Sequence, residues 1–486
     1  MKPLRLSDVA FLAGGRLHGD DLVVDTIATD TRAMPAGGRA LFVALKGEHF
    51  DGHAHAAAAV AGGALALLVA RQLDLRAPQI VVADTERALA QFAAGLQRTR
   101  ATRVVAITGS NGKTSVKTLL LSILSRAGSA YANPGNRNNE IGLPLAVIDA
   151  PDDADYAVYE MGAGKPGDIA YLTAVARPDV SLVNNIAPAH IERLGSLLGI
   201  ADTKAAIYDA LPVQGVAVIN ADDAFAPYFA QRAHGRRLLR FGIESTADVA
   251  ALQVRASGEG TRFVLRAPEG EGEVMLPLPG RHNVRNALAA ASLALAAGAP
   301  FDAVVAGLEA AQPVAGRLVR HALRSGAVLI DDSYNANPGS LAAAIDTLAA
   351  APGEAWLVLG DMRELGRDGA ALHAEAGRRA KGAGIARLYA LGELSAHAAQ
   401  AFGEHARTFD SHAELADALR ADIDTASAGA ASAATPSRDE SSGQKLAAET
   451  APAQRRAPRV LVKGSRGSAM DRVVRALLEG EAAHAA

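Results

Sequence analysis

The sequence contains no cysteine. Disulfides, thiolate zinc sites and a cysteine nucleophile are excluded together. Aromatic residues are scarce, at 4% of the chain with a single Trp, so its cores must be assembled from small aliphatic side chains. Charge of neither sign is in excess: 49 Lys+Arg stand against 52 Asp+Glu, a formal net charge of −3. A protein that coats nucleic acid or an anionic membrane carries a large basic surplus, so neither partner is expected. A local basic pocket for phosphates stays open. Long apolar runs are also missing. Residues 56–70 are the most apolar stretch, but they are Ala/Gly-rich and shorter than the roughly 20 residues of a spanning helix. The basic start Met1-Lys-Pro-Leu-Arg5 meets Asp8 and a very short apolar stretch, which does not make an export signal. A cytoplasmic monomer is the expectation.

What is present is length and pattern. The 486 residues suggest three domains at roughly 150 residues each, and three regions differ in texture: 1–98, 99–315 and 316–486. The first mixes short apolar runs, such as Ala40-Leu-Phe-Val-Ala-Leu45 and Ile80-Val-Val82, with Ala-rich helical stretches. A basic, turn-free hinge from Arg98 to Arg103 leads into the second. There Val104-Val-Ala-Ile107, Ala157-Val-Tyr159, Val180-Ser-Leu-Val183 and Val216-Ala-Val-Ile219 read as buried strands. Helical patterns between them predict an α/β fold with a mostly parallel sheet. The third region repeats the pattern at Val328-Leu-Ile330, Trp356-Leu-Val-Leu359, Leu388-Tyr-Ala-Leu391 and Val460-Leu-Val462. Residues 422–458 are Ala/Ser/Thr/Gly-rich with almost no large apolar side chain. Such a stretch cannot offset its ordering entropy, so a disordered insertion is predicted there.

Thr108-Gly-Ser-Asn-Gly-Lys-Thr114 lies between the first strand of the second region and an apolar helix. Gly109 and Gly112 let the backbone of the loop, Ser110 and Asn111 included, curl so that its N–H groups turn toward phosphate oxygens. The helix behind adds its N-terminal partial positive charge. Lys113 is placed to reach the β- and γ-phosphates, and the Thr114 hydroxyl suits a Mg²⁺ ligand. The ordinary Walker pattern has Gly where this chain has Ile107, so the loop is a shortened variant. Glu160 follows the Ala157-Val-Tyr159 strand, at the sheet edge where open α/β folds bind ligands. His190, in Asn184-Asn-Ile-Ala-Pro-Ala-His190, reads on its own as a surface or packing residue.

The shortened loop is similar to the ATP loop of the Mur ligase family, the amide-bond-forming enzymes of peptidoglycan precursor synthesis. Gly135-Asn-Arg-Asn-Asn-Glu-Ile-Gly-Leu-Pro144, Asp331-Asp-Ser-Tyr-Asn-Ala-Asn-Pro338 and Leu359-Gly-Asp-Met-Arg-Glu-Leu-Gly366 resemble one branch of that family, which adds a dipeptide. The resemblance covers nearly the whole chain. It implies a UDP-substrate domain at 1–98, a central phosphate-loop ATPase domain at 99–315 and a C-terminal Rossmann-like domain at 316–486. It also implies an ATP- and Mg²⁺-dependent ligase joining D-Ala-D-Ala to UDP-N-acetylmuramoyl-tripeptide. The acyl-phosphate intermediate would need shelter from water, which favours domain closure.

Site roles follow from the same resemblance. Glu160 and His190 would bind Mg²⁺ with Thr114. Lys204, as a helical lysine, is ordinarily a solvated charge, but here it would be a further metal ligand as a carbamate. Lys113, His190 and Lys204 would carry the catalysis. Asn283 and Asn286, in Gly280-Arg-His-Asn-Val-Arg-Asn286, would face adenine, although Asn283 also reads as a helix cap. Arg317 suits phosphate oxygens and Asp332 ribose hydroxyls, with an ordinary ion pair between them as the plainer reading. Thr31 and Arg32 would contact the uridine diphosphate, and Asn138 and Asn139 the sugar-peptide. Tyr334, Asn335, Asn337, Lys463 and Arg466 would meet the dipeptide, whose carboxylate would pair with Lys463 or Arg466. Two rivals stand beside this reading. One is a sister ligase adding a diamino acid or glutamate, folylpolyglutamate synthase included; the chain has no Asp-Asn-Pro-Arg acceptor motif of the diamino-acid branch. The other is a non-catalytic P-loop nucleotide-binding module.

Overall fold

The protein is described by a computed structural model for all residues except 36, 38, 48, 49, 189, 190, 258, 259, 434–456 and 484–486. Two compact units form, Met1–Ile186 with Leu197–Ala311, and Ala187–Ser196 with Gln312–Ala486.

Besides an antiparallel ribbon of Leu4–Arg5 with Val23–Val24, the first unit contains two larger sheets. The smaller takes Arg16–His18 (β1), Thr26–Ala28 (β2), Ala40–Val43 (β3), Ala64–Val69 (β4) and Gln79–Val81 (β5) in the order β1-β5-β4-β3-β2. The larger takes Arg103–Thr108 (β6), Ala130–Ala132 (β7), Tyr156–Glu160 (β8), Val180–Val183 (β9), Val216–Asn220 (β10) and Arg237–Gly242 (β11), then Val249–Ser257 (β12), Gly260–Ala267 (β13) and Gly270–Leu276 (β14). Its order is β14-β13-β12-β11-β10-β9-β6-β8-β7. Parallel pairing runs from β7 to β12, and β12 to β14 close the sheet as an antiparallel meander. The β-branched runs read from the sequence become fully buried strands, as sheets covered on both faces require. One continuous core joins the small sheet to a face of the large one, from Leu6, Leu41 and Phe92 through Val104 and Tyr159 to Phe229. The stretch read as a hinge is fastened rather than loose. Arg100 donates to Asp152 and to the carbonyls of Val147 and Ala150 at 2.6–2.9 Å.

Strand order around β6 decides where a ligand can bind. The chain leaves β6 for the edge at β7, returns to β8, then crosses to β9 on the other side. The carboxyl end of β6 is thus a switch point, with the glycine loop on it.

The second unit is a six-stranded sheet of Val319–Ala322 (β15), Val328–Asp332 (β16), Ala355–Gly360 (β17), Arg387–Leu391 (β18), Ala406–Phe409 (β19) and Arg459–Lys463 (β20), ordered β15-β16-β20-β17-β18-β19. All its pairings are parallel except β15 with β16. The last strand inserts between β16 and β17, which makes a second switch point.

The predicted insertion is corrected at its start. Residues 422–433 continue the helix His412–Ala433. Ile423 is buried beside Leu419, and Asp422 accepts hydrogen bonds from Tyr389 and Arg407. Residues 434–456 lie outside the described residues. They contain no proposed site residue, so replacing 434–456 with a short Gly/Ser link is expected to leave turnover within about tenfold, or about 1.4 kcal/mol. Ile423→Ala, by contrast, is expected to destabilise the unit by about 2–5 kcal/mol in chemical denaturation. Equal effects of the two changes would refute this division.

Candidate active site

The loop after β6 owes its shape to two glycines. Gly109 (φ 148°) and Gly112 (φ 79°) occupy backbone regions that side chains disfavour. A Cβ on Gly112 would also lie 2.5 Å from Asn286 Oδ1 and 2.6 Å from Asn184 Nδ2. The amides of Ser110 and Asn111 donate to the backbone oxygen and Oδ1 of Asn185, both at 2.9 Å. The Lys113 ammonium donates to the Gly109 carbonyl at 2.7 Å, spanning the loop mouth. Helix Lys113–Ala127 begins immediately behind, with Gly112 as its N-cap, so its positive end faces the loop.

Glu160 ends β8 next to this loop and is 3% exposed. Thr114 donates to its Oε2 and Asn138 to its Oε1, each at 2.9 Å. Burial works to raise the carboxyl's pKa. Lys113 and Lys117, with the Asn138 and Thr114 hydrogen bonds, outweigh burial and hold it below the usual carboxylate range. Glu160 is therefore a buried, ionised carboxylate. Asn133 braces its backbone, accepting from Glu160 N and donating to Glu160 O. Of the two asparagines assigned to the sugar-peptide, Asn138 holds Glu160, while Asn139 accepts from the amide of Gly142.

Lys204, on helix Leu197–Asp209, is 1% exposed rather than solvated. Burial, with Lys113's charge adding and Asp168's opposing, pushes its pKa down to about 7. His190 lies outside the described residues. Among the described residues no group of three or more His, Asp or Glu is gathered, so the available metal donors are the Thr114 hydroxyl and the Glu160 carboxylate. Asn286 accepts from Asn184 at 3.2 Å, which brings it to the loop. Asn283 donates back to the Pro279 carbonyl, and Gly280 holds the cap position instead.

Thr31 and Arg32 sit in the short helix Thr31–Ala33, capped by Asp30. The Arg32 guanidinium is 88% exposed and forks onto Asp30, so these residues are presented on the surface.

In the second unit, the register of β16 with β20 sets Asp332 opposite Lys463. The two are each other's partner at 2.5 Å, and Lys463 also donates to Asn335 O. Tyr334 is flanked by the guanidinium groups of Arg317 at 4.5 Å and Arg466 at 5.5 Å. Asn337 caps helix Pro338–Ala350 in a reciprocal box with Ser340. Asp332 pairs with Lys463, and the charge of Arg317 acts on the same carboxylate. Three non-glycine residues with left-handed backbone, Leu318, Glu364 and Ala469, follow or precede strand ends of this edge, and such strain concentrates at functional sites.

Several members of the first site escape a reading of the sequence. Lys117 stands one helical turn after Lys113, a spacing that places both on one face. Asn184 and Asn185 lie inside the motif around His190, and both hydrogen-bond the loop.

The family model described as Mur ligase middle domain matches residues 107–294, and that described as Mur ligase, glutamate ligase domain matches 316–438. The UDP-N-acetylmuramoyl-tripeptide–D-alanyl-D-alanine ligase of Escherichia coli is 42% identical over 483 residues, 99% of each chain. The crystal structure of MurF from Acinetobacter baumannii superposes with a TM-score of 0.88 at 32% identity, covering 99% of both chains. The MurF ligase of Thermotoga maritima in complex with ADP follows at 0.79 and 26%, covering 95% of this chain and 99% of that one.

Proposed function

The chain belongs to the Mur ligase family, and from that premise we propose that it joins D-alanyl-D-alanine to UDP-N-acetylmuramoyl-tripeptide, cleaving ATP to ADP and phosphate. The arrangement of the glycine loop against a buried, ionised Glu160 carries this reading. In the first step the substrate carboxylate attacks the γ-phosphorus, forming an acyl phosphate and releasing ADP. The amine of the dipeptide then attacks the acyl carbon, and phosphate leaves. The first step brings anion onto anion, so its barrier is largely electrostatic. Lys113, already aimed across the loop, neutralises charge on the transferring phosphoryl group.

The donor set at the loop is hard oxygen: one hydroxyl, and one carboxylate kept ionised despite burial. That chemistry fits Mg²⁺. Thr114 and Glu160 would hold it, with His190 and a carbamylated Lys204 as further ligands. When bound, the ion supplies charge neutralisation at the phosphates. Asn283 and Asn286 are assigned to adenine, Thr31 and Arg32 to the uridine diphosphate, and Asn138 to the reacting end of the sugar-peptide. Tyr334, Asn335 and Arg466 are assigned to the dipeptide; Lys463 acts through Asp332. No helix among the described residues is long and apolar enough to cross a membrane. A cytoplasmic monomer is the arrangement this reading calls for.

Phosphate release should require the UDP substrate and D-Ala-D-Ala together. Free diaminopimelate, lysine or glutamate should not replace the dipeptide. Efficient turnover with a single amino acid would move the chain to a sister branch, and release indifferent to either substrate would point to a nucleotide-binding module.

A further inference from the structure

Lys117 takes no part in the chemistry above, yet its ammonium lies 3.4 Å from Glu160 Oε2, with both side chains under 10% exposed, at 7% and 4%. It donates to the carbonyls of Asn133 and Gly135, each at 2.9 Å. Neutral carbonyls orient a buried ammonium but do not neutralise it, so Glu160 is its counter-ion. The same carboxylate already accepts from Thr114 and Asn138. Lys113 stands one turn away on the same helix. One carboxylate thus faces two ammonium groups, and the pocket is positive before any nucleotide arrives.

We propose that Lys117 is a positioning residue that keeps Glu160 from taking up a divalent cation until a nucleotide is bound. The proposal rests on the reading of Glu160 and Thr114 as metal ligands. A divalent ion approaching Glu160 alone meets an ammonium that shares its oxygen, and must displace donors that already fill the carboxylate. A bound nucleotide adds negative charge beside the loop and reverses that balance. Metal therefore enters together with nucleotide. Meanwhile Lys117 holds the segment from Asn133 to Gly135, which leads to Asn138, so Glu160 stays aimed at the loop.

The test measures Mn²⁺ binding to the full-length protein by electron paramagnetic resonance, with and without ADP. Lys117→Gln keeps a donor for the two carbonyls and removes the charge. It should tighten Mn²⁺ binding to the nucleotide-free protein at least about tenfold, because the repulsion of an ammonium so close remains large even at an effective dielectric near 20. Lys117→Arg, which keeps the charge, should bind as weakly as wild type. Unchanged or weaker binding by a Lys117→Gln protein that melts like wild type would overturn the proposal. So would nucleotide-free wild type that binds Mn²⁺ at Glu160 as tightly as it does with ADP, a result independent of any lysine variant. Mn²⁺ uptake with ADP that is unaffected by Glu160→Gln would instead overturn the metal-ligand reading itself.

Discussion

Lys113→Ala is expected to lower kcat/KM for phosphate release by about 10²- to 10³-fold, the cost of removing one preorganised charge-stabilising group from a transition state. The Lys113 ammonium is held at 2.7 Å from the Gly109 carbonyl, across the mouth of the loop. It is therefore oriented before the nucleotide arrives and needs no reorganisation during the reaction. Its loss leaves the charge on the transferring phosphoryl group without its nearest compensation. Lys113→Arg should not restore the rate. A guanidinium is planar and wider than the compact ammonium that the loop accommodates. The fold should survive both changes, since the side chain anchors the loop and not a core. Steady-state phosphate release with both substrates, run beside thermal melting, reads the two effects apart. A folded Lys113→Ala protein within tenfold of wild type would remove Lys113 from the chemistry.

The parts of this molecule that the sequence discloses are those with a short-range signature. The loop at residues 108–114 combines two glycines, a lysine and a preceding β-branched strand, and each of these constrains local backbone. The buried strands of both parallel sheets show as compact apolar runs. The meander of β12 to β14 does not, because its burial alternates with exposed residues such as Arg262 and Glu273. The helix from His412 to Ala433 hides in an alanine-rich stretch whose ordering depends on Ile423 and Asp422 meeting partners distant in sequence. The pairing of Asp332 with Lys463 is likewise a product of strand register. Read along the chain, each looks available to a ligand; in the sheet they satisfy each other. Lys117 shows the same limit. Its helix-face position is legible, but its burial against Glu160 depends on β8 lying next to β6.

Lys204→Ala is expected to lose activity at least about 10²-fold, of the order seen when one electrostatic group is taken from a transition state, and to regain part of it with formate. A surface lysine would give neither result, but Lys204 is 1% exposed. Its burial, reinforced by Lys113, brings its pKa from 10.5 to about 7. The neutral amine is thus well populated near neutrality, and only that form attacks CO₂. Nitrogen bonds to carbon, a proton leaves, and the product is a carbamate anion. A buried cation becomes an anion, the sign of charge that a metal ligand requires. The pH dependence has a definite sign. Because the folded pKa lies below the unfolded one, burying unmodified Lys204 carries its full penalty below about pH 7. That penalty is relieved as pH rises through about 7 toward 10.5. Stability of the CO₂-depleted protein should therefore rise with pH across that window, and recovery of activity on adding CO₂ should be faster above pH 7 than below it. In the alanine variant, formate would occupy the vacated anion position. Labelled ¹³CO₂ offers a direct view, as a carbamate carbon resonance present in wild type and absent in Lys204→Ala. Ordinary activity in Lys204→Ala, or no such resonance in active wild-type enzyme, would return Lys204 to a purely structural place in its helix.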